Sequence, residues 1–268
     1  MSIIRVGAVS YLNARPLAEA LERQHDRFAV RYDLPSTCAR LLHAHEIDLG
    51  LIPSIEYLHG DTYHIVPGCA VASDGPVASV ALFTPRPIRE IRSIALDTSS
   101  RTSVALTRVL CAQSFDIAPR FVDHPPDLPA MLARADAALL IGDRALFADW
   151  QASGLQKIDL GEAWRALTGL PFVYAFWAGH PGALTDDALQ TLQEARAEGE
   201  AHVEAIAERF FPGDPERVRV GARYLRENIH FRLDAPEAAG LERFFALAVD
   251  VGAAPAQQPL RWYGTGGP

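Results

Sequence analysis

The feature that most constrains the fold is an alternation of short apolar runs with helix-forming stretches, which occurs twice along the chain. The first series predicts strands at 3–9, 28–33 and 48–52, with helices near 16–23 and 36–45. The second series predicts strands at 93–96, 120–122 and 137–141, with helices at 102–113 and 127–133. Such alternation is typical of parallel sheets with right-handed crossovers, whose ligands bind beyond the carboxyl ends of the strands. The sequence therefore predicts an α/β protein built from two similar units.

Two further apolar strands, predicted at 77–84 and 172–178, suit a chain that leaves the first unit and later returns to it. The prolines Pro85 and Pro87 mark the expected crossing. We therefore expect lobe 1 at 1–86 plus 176–268 and lobe 2 at 87–175, with a ligand cleft between them.

The chain after 178 carries clear helix signals, among them Thr185, Asp214-Pro215 and Asp234 followed by Glu237. We expect these C-terminal helices to be structural.

Charge and length exclude several classes of protein. The 268 residues include 25 basic and 33 acidic side chains, so the net charge of −8 disfavours binding to nucleic acid or to an anionic membrane surface. No uncharged apolar run reaches the length of a membrane span. The chain is long enough to bury a core without disulfides or metals.

The cysteines indicate a reducing compartment. Cys38, Cys69 and Cys111 are odd in number, widely spaced and without a C-x-x-C pair. The N-terminus is interrupted by Arg5 and shows no apolar core or cleavage site of an export signal. Both observations predict a cytoplasmic protein.

A cluster of hydroxyl groups follows the predicted strand at 93–96 and comes directly before a helix: Thr98, Ser99, Ser100, Arg101, Thr102 and Ser103. Hydroxyls together with the free N–H groups of a helix N-terminus form a ready site for a carboxylate or phosphate. An ordinary helix cap is the alternative, but one Ser or Thr suffices for that. We favour the anion site.

Polar side chains also follow the strands of the first unit. Tyr11 and Asn13 come after the first strand, and Asn13 offers uncharged donors and an acceptor to a substrate hydroxyl or carbonyl, although a turn-stabilising Asn is an equal alternative. Ser54 can bind ligand or cap a helix, and Ser79 can face the cleft or be buried in a strand. Gly142 and Asp143, after the last strand of the second unit, either face the cleft or form a helix-entry turn.

Familiar catalytic motifs are absent from the sequence, including H-E-x-x-H, G-x-S-x-G, the Walker loop and G-x-G-x-x-G after the first strand. His43 and His45 are two residues apart, which puts them on different sides of a helix, so they are expected to be solvated rather than to share a metal. We predict no metal site.

Five segments resemble the menaquinone-biosynthesis enzymes of the futalosine pathway, a family of dehydratases and naphthoate synthases. The resemblance covers about residues 3 to 178 and is carried by Val6 to Leu17, Ile47 to Tyr57, Ala72 to Val77, Leu96 to Val104 and Leu167 to Val173. The naphthoate synthases begin with a Ser-Pro-x-x-Asn-Asp-like motif where this chain has Ser10-Tyr11-Leu12-Asn13, so the sequence is closer to the dehydrating branch.

The resemblance implies a periplasmic-binding-protein-like type II fold and the elimination of water from chorismate to give 3-[(1-carboxyvinyl)oxy]benzoate, without a metal or organic cofactor. Asn13 and Ser79 are then expected to be catalytic, and the hydroxyl cluster to bind a substrate carboxylate. The alternatives are 1,4-dihydroxy-6-naphthoate synthesis and non-catalytic binding of a small anion. The oligomeric state is left open.

Overall fold

The computed structural model describes residues 3–60, 62–264 and 267. Within these residues, ten strands form two five-stranded sheets. The strands are β1 Ile4–Val9, β2 Phe28–Asp33, β3 Leu49–Pro53, β4 His64–Ser73, β5 Val80–Thr84, β6 Ser93–Asp97, β7 Arg120–His124, β8 Ala137–Ile141, β9 Gln156–Asp159 and β10 Phe172–Gly179.

Helices cover both sheets, as expected for alternating strands and helices. They are α1 Arg15–Ala18, α2 Pro35–His43, α3 Arg101–Gln113, α4 Leu128–Leu132, α5 Gly142–Leu146, α6 Leu160–Thr168, α7 Asp186–Ala201, α8 Val203–Phe210, α9 Pro215–Glu227 and α10 Ala235–Asp250. Short 3-10 turns lie at Leu12–Ala14, Glu19–Arg23, Ser54–Leu58 and Ile88–Glu90.

The two sheets repeat one topology. The first has the order β2-β1-β3-β10-β4 and the second β7-β6-β8-β5-β9. In each, the first three strands of this sheet order are parallel, and the fourth position is taken by an antiparallel strand that directly follows a crossing between the sheets. The carboxyl ends of β1, β3, β6 and β8 therefore bear the polar segments singled out in the sequence.

Strand β5 shows why these strands read as continuous apolar runs. Val80 and Leu82 pack into the main core, whereas Ala81 and Phe83 pack into a second cluster on the opposite face of the sheet. Successive side chains of a strand point to opposite faces, so a sheet covered on both sides needs apolar residues at every position.

Strand pairing shifts the predicted lobe boundaries, 86/87 and 175/176. Strand β5 pairs with β8 and β9 in the second sheet, so the chain changes sheet between Ser73 and Val80, before the Pro85 to Pro87 segment. The return falls between α6 and β10, since all of β10 pairs in the first sheet. The prolines follow a strand and form a turn, which the sequence pattern alone does not distinguish from a crossing.

Strands β4 and β9 and the helices α5 and α6 were not predicted. Strand β4 contains Pro67 and Gly68, which are typical of turns, but it lies at the end of the strand order of its sheet, where a missing N–H donor is tolerated. Strand β9 is short and partly polar, and it also lies at a sheet end, directly before α6.

The C-terminal helices begin where their capping residues predict. The Thr185 hydroxyl accepts from the Ala188 N–H, and the Asp214 carboxylate accepts from the Arg217 N–H. At α10, Glu237 accepts from the Asp234 N–H at 3.0 Å and completes a capping box. None of the described helices is long and apolar enough to cross a bilayer.

Helix α7 packs on the first unit through a glycine. A Cβ on Gly199 would overlap the backbone of Pro16, at the start of α1. We predict that Gly199→Ala lowers the free energy of unfolding by about 3 kcal/mol, because overpacking forces two backbones apart. Urea unfolding measures the change. Ala197→Ser, at an exposed position of the same helix, serves as control, and an equally small effect of both substitutions would contradict the close approach.

Candidate functional site

A cavity that is partly open to solvent lies between the two sheets. The first sheet and its loops contribute Val9, Tyr11, Asn13, Ala14, Pro35, Leu51, Pro53, Val71, Tyr174 and Ala175. The second sheet and the crossing segment contribute Val77, Ser79, Val80, Ser100, Thr102, Ser103, Ile141 and Gly142. All these residues are uncharged, so the cavity offers an anion only neutral donors and helix N–H groups.

Asn13 lies in the 3-10 turn after β1 and lines the cavity. Its Nδ2 donates to the Tyr224 hydroxyl at 3.0 Å, which leaves its Oδ1 and a second amide hydrogen for a ligand. This hydrogen bond therefore holds the amide in place and leaves most of its hydrogen-bonding capacity unused.

Ser79 also lines the cavity, from the segment that links the two sheets. The residue before it, Ala78, has a left-handed backbone with φ of 60°, which is unfavourable for a side chain with a Cβ. Two groups hold this turn: the Asp159 carboxylate accepts from the Ala78 N–H at 2.7 Å, and Lys157 donates to the Ala78 carbonyl. Lys157 is the single lysine of the chain, and its burial lowers its pKa.

The hydroxyl cluster divides into two parts. Ser100, Thr102 and Ser103 line the cavity at the start of α3, and the Ser100 hydroxyl caps this helix by accepting from the Ser103 N–H. Among the described residues, the N–H groups of Arg101 and Thr102 have no acceptor, so they remain available to an anion. This part of the cluster has the arrangement that the anion-site prediction requires.

Thr98 and Arg101 lie outside the cavity, contrary to their predicted role in ligand binding. Both line an exposed groove on the other side of the α3 N-terminus. The Arg101 guanidinium donates to both carboxylate oxygens of Glu56 at 3.1 Å. A sequence pattern places both residues on the loop but does not show which way each side chain points.

The partner of Arg101 is a buried carboxylate. Glu56 is 1% exposed and also accepts from His43 Nε2 at 3.1 Å, while Tyr63 donates to His43 Nδ1 at 2.6 Å. The sequence context predicts a solvated His43, but the side chain is engaged in this hydrogen-bond network. Burial alone raises the pKa of Glu56, but the hydrogen bond from His43 and the charge of Arg101 outweigh it and hold that pKa below its ordinary value.

Ser99 is held by a neighbouring carboxylate. Its hydroxyl and backbone N–H both donate to Asp97 Oδ1, at 2.6 and 2.9 Å. The Tyr11 hydroxyl then donates to Ser99 Oγ at 3.3 Å, because the Ser99 proton is already engaged. Tyr11 lines the cavity and bridges the two sheets, whereas Ser99 is a buried support behind the lining.

Gly142 and Asp143 meet the turn that carries Asn13. Gly142 has φ of 59°, a left-handed backbone conformation that favours glycine. A Cβ on this residue would also press against the Tyr11 ring. Asp143 Oδ1 accepts from the Leu12 N–H at 3.3 Å and does not line the cavity. Burial raises the pKa of Asp143 to about 6.

Ser54 is a buried support as well and lies outside the cavity lining. Its hydroxyl donates to the Val173 carbonyl at 2.8 Å, while the neighbouring Ile55 N–H donates to Thr102 Oγ1 at 3.2 Å. This pair of contacts ties the end of β3 to β10 and to α3.

Two tyrosines of the site were not predicted. Tyr224, on α9, contacts Asn13 and Ser79, and Tyr174, on β10, lines the cavity and donates to Ser73 Oγ at 3.1 Å. Neither lies in a motif. The helix pattern at 215–227 is that of an amphipathic surface helix, and a Tyr at one of its apolar positions is indistinguishable from a core residue.

Comparison with known proteins assigns the family. Residues 4–250 match the sequence model of the menaquinone biosynthesis family. The chain belongs to this family. A family relative, the chorismate dehydratase of Thermus thermophilus, is 32% identical over 259 residues, which cover 89% of this chain and 93% of that protein.

Comparison with solved structures shows the fold of this chain. The alkanesulfonate-binding protein of Xanthomonas axonopodis pv. citri matches with a TM-score of 0.72 at 16% identity, over 96% of this chain and 95% of that one. A Candida albicans protein described as having the generic periplasmic binding protein fold matches with a TM-score of 0.68 at 14% identity, over 98% and 99%. The predicted two-lobe, periplasmic-binding-protein-like α/β fold is confirmed.

The Glu56–Arg101 pair predicts a pH-dependent contribution to stability. Because the folded-state pKa of Glu56 is depressed, the pair stabilises above the ordinary carboxyl pKa, and this stabilisation is lost as the pH falls through the folded-state pKa. We expect Glu56→Gln to lower the free energy of unfolding by about 2 kcal/mol at pH 7, a value reduced by the solvent exposure of Arg101.

Urea unfolding at pH 7 and at pH 3.5 checks this expectation, and the difference between wild type and Glu56→Gln should shrink at the lower pH. Glu46→Gln is the control, since Glu46 forms an exposed pair with Arg40. A Glu56→Gln effect that is the same at both pH values would contradict the charged pair.

Proposed function

We propose that the protein is a hydro-lyase that removes water from chorismate to give 3-[(1-carboxyvinyl)oxy]benzoate in menaquinone biosynthesis. The observation that carries this proposal is the likeness to the Thermus thermophilus chorismate dehydratase over most of both chains. The family match over 4–250 supports it.

The cavity suits a substrate with two carboxylates and a ring hydroxyl. Ser100, Thr102 and Ser103 offer hydroxyl groups beside the free N–H groups of the α3 N-terminus, where a carboxylate is stabilised by the helix dipole. Asn13 and Ser79 line the same cavity and are proposed to contact the C4 hydroxyl. Among the described residues, no carboxylate lines the cavity.

The proposed reaction needs no strong base from the protein, because loss of water makes the ring aromatic. A substrate carboxylate takes the C3 proton, the C3–H electron pair forms the new ring double bond, and the C4–O bond breaks. The departing hydroxide takes up a proton and leaves as water. The net loss is therefore the C3 proton and the C4 hydroxyl group, which together make one water molecule. Neither Asn13 nor Ser79 is a competent base at neutral pH, so their proposed task is to bind the departing oxygen.

The buried and mutually unbonded cysteines Cys38, Cys69 and Cys111 support the further proposal that the protein works in a reducing compartment, the cytoplasm.

Incubation of the purified protein with chorismate tests the proposed function. Ring aromatisation is followed by ultraviolet absorbance, and the product is identified by mass spectrometry against a protein-free control that records spontaneous decay. Formation of 3-[(1-carboxyvinyl)oxy]benzoate is the expected result. Binding of chorismate without turnover would favour a solute-binding role, and neither binding nor turnover would favour the naphthoate synthase branch; both outcomes overturn the proposal.

Asn13→Ala tests the role of the amide in turnover. We predict that kcat falls by about 100-fold while KM changes much less, because the lost hydrogen bond strengthens as the C4–O bond breaks. Steady-state kinetics with chorismate measure both constants. Gln190→Ala, on the exposed face of α7, is the control. Equal changes in kcat and KM, or none, would remove Asn13 from the reaction.

A further inference from the structure

The hydroxyl of Tyr224 lies between the two proposed catalytic side chains. It is 3.0 Å from Asn13 Nδ2 and 2.7 Å from Ser79 Oγ, and Tyr224 itself is 2% exposed and does not line the cavity. Helix α9 thus brings a buried phenol to the point where the turn after β1, which carries Asn13, meets the crossing segment, which carries Ser79. The helix therefore contacts both proposed catalytic side chains, which its sequence pattern did not predict.

The direction of these hydrogen bonds follows from the donors. The amide nitrogen of Asn13 only donates, so the Tyr224 oxygen accepts from it. The buried Tyr224 hydroxyl has no other acceptor among the described residues, so its proton is assigned to Ser79 Oγ, which has no other partner there. Ser79 accepts this bond and keeps its own proton, which it can donate into the cavity.

Hydrogen bonds fix the main chain at Ser79, so only the direction of the Ser79 O–H bond remains to be set. Asp159 and Lys157 hold the strained Ala78 turn from both sides, and the Ser79 N–H donates to the Val77 carbonyl at 2.7 Å. A serine hydroxyl otherwise rotates to suit its surroundings. The bond from Tyr224 selects one orientation.

We propose that Tyr224 is a positioning residue of the dehydration, which orients the Ser79 hydroxyl as a donor toward the departing C4 oxygen. This inference rests on the proposed function. It adds a third residue, from a different part of the chain, to the pair Asn13 and Ser79. Burial, with a smaller contribution from the charge of Asp143, raises the pKa of Tyr224, so the phenol keeps the proton that it must donate.

Tyr224→Phe removes the hydroxyl and keeps the ring. We expect kcat to fall by about 30-fold with KM within about twofold of wild type, because Ser79 loses its fixed orientation and no substrate contact is removed. Tyr57→Phe is the matched control: Tyr57 is equally buried, and its hydroxyl also makes two hydrogen bonds, to the Pro259 carbonyl and from the Arg261 N–H, away from the cavity lining.

A double-mutant cycle separates positioning from general stability. If Tyr224 acts through Ser79, the fall in kcat caused by Tyr224→Phe should be several-fold smaller in a Ser79→Ala background, because the hydroxyl that it orients is gone and only its contact with Asn13 remains. Tyr57→Phe should have the same small effect in both backgrounds. Additive losses from Tyr224→Phe and Ser79→Ala would overturn the proposal, as would full activity of Tyr224→Phe.

Thermal unfolding of the two Phe variants shows whether both fold. Should Tyr224→Phe not fold, nuclear magnetic resonance of the unaltered Tyr224 hydroxyl, with tyrosine labelled at Cζ, gives a second measurement. We expect its exchange with solvent to be faster in Ser79→Ala than in wild type, and equal rates would contradict the hydrogen bond. Failure of wild type to convert chorismate would overturn the proposed function, whereas an active wild type with an unaffected Tyr224→Phe would overturn the inference alone.

Discussion

One carboxylate fixes the place where the chain passes between the two sheets. Asp159 accepts hydrogen bonds from the N–H groups of Val77 and Ala78, in the first crossing, and from those of Gly161 and Glu162, in the first turn of α6. A carboxylate that accepts several charge-assisted bonds is held more firmly than one in a neutral contact. This interaction ties the first crossing to the start of α6, the helix that leads to the return crossing.

The polar groups around the cavity also join the two lobes. Tyr11 bonds Ser99, and Asp143 accepts from the turn before Asn13. Each such bond is exchanged for bonds to water when the lobes separate, so it contributes only about 1 kcal/mol.

Sequence patterns pointed to loops that border the cavity but could not orient the side chains on them. Ser100 and Arg101 are neighbours in the hydroxyl cluster, yet Ser100 lines the cavity and Arg101 turns away to a buried carboxylate. The partner Glu56 is 45 residues away in the chain, and nothing local marks it. For the same reason the contact of Tyr224 with Asn13, across 211 positions, leaves no local signal.

The sequence by itself determined the α/β class, the repeated strand–helix order, the capped C-terminal helices and the loops that carry the site, because hydrophobic periodicity and capping act over a few neighbouring residues. Only the tertiary structure decided that β5 belongs to the second sheet and that a phenol from α9 lies between Asn13 and Ser79. Strand pairing and the direction of a side chain are set by contacts between segments far apart in the chain. Those contacts exist only once the whole core has packed.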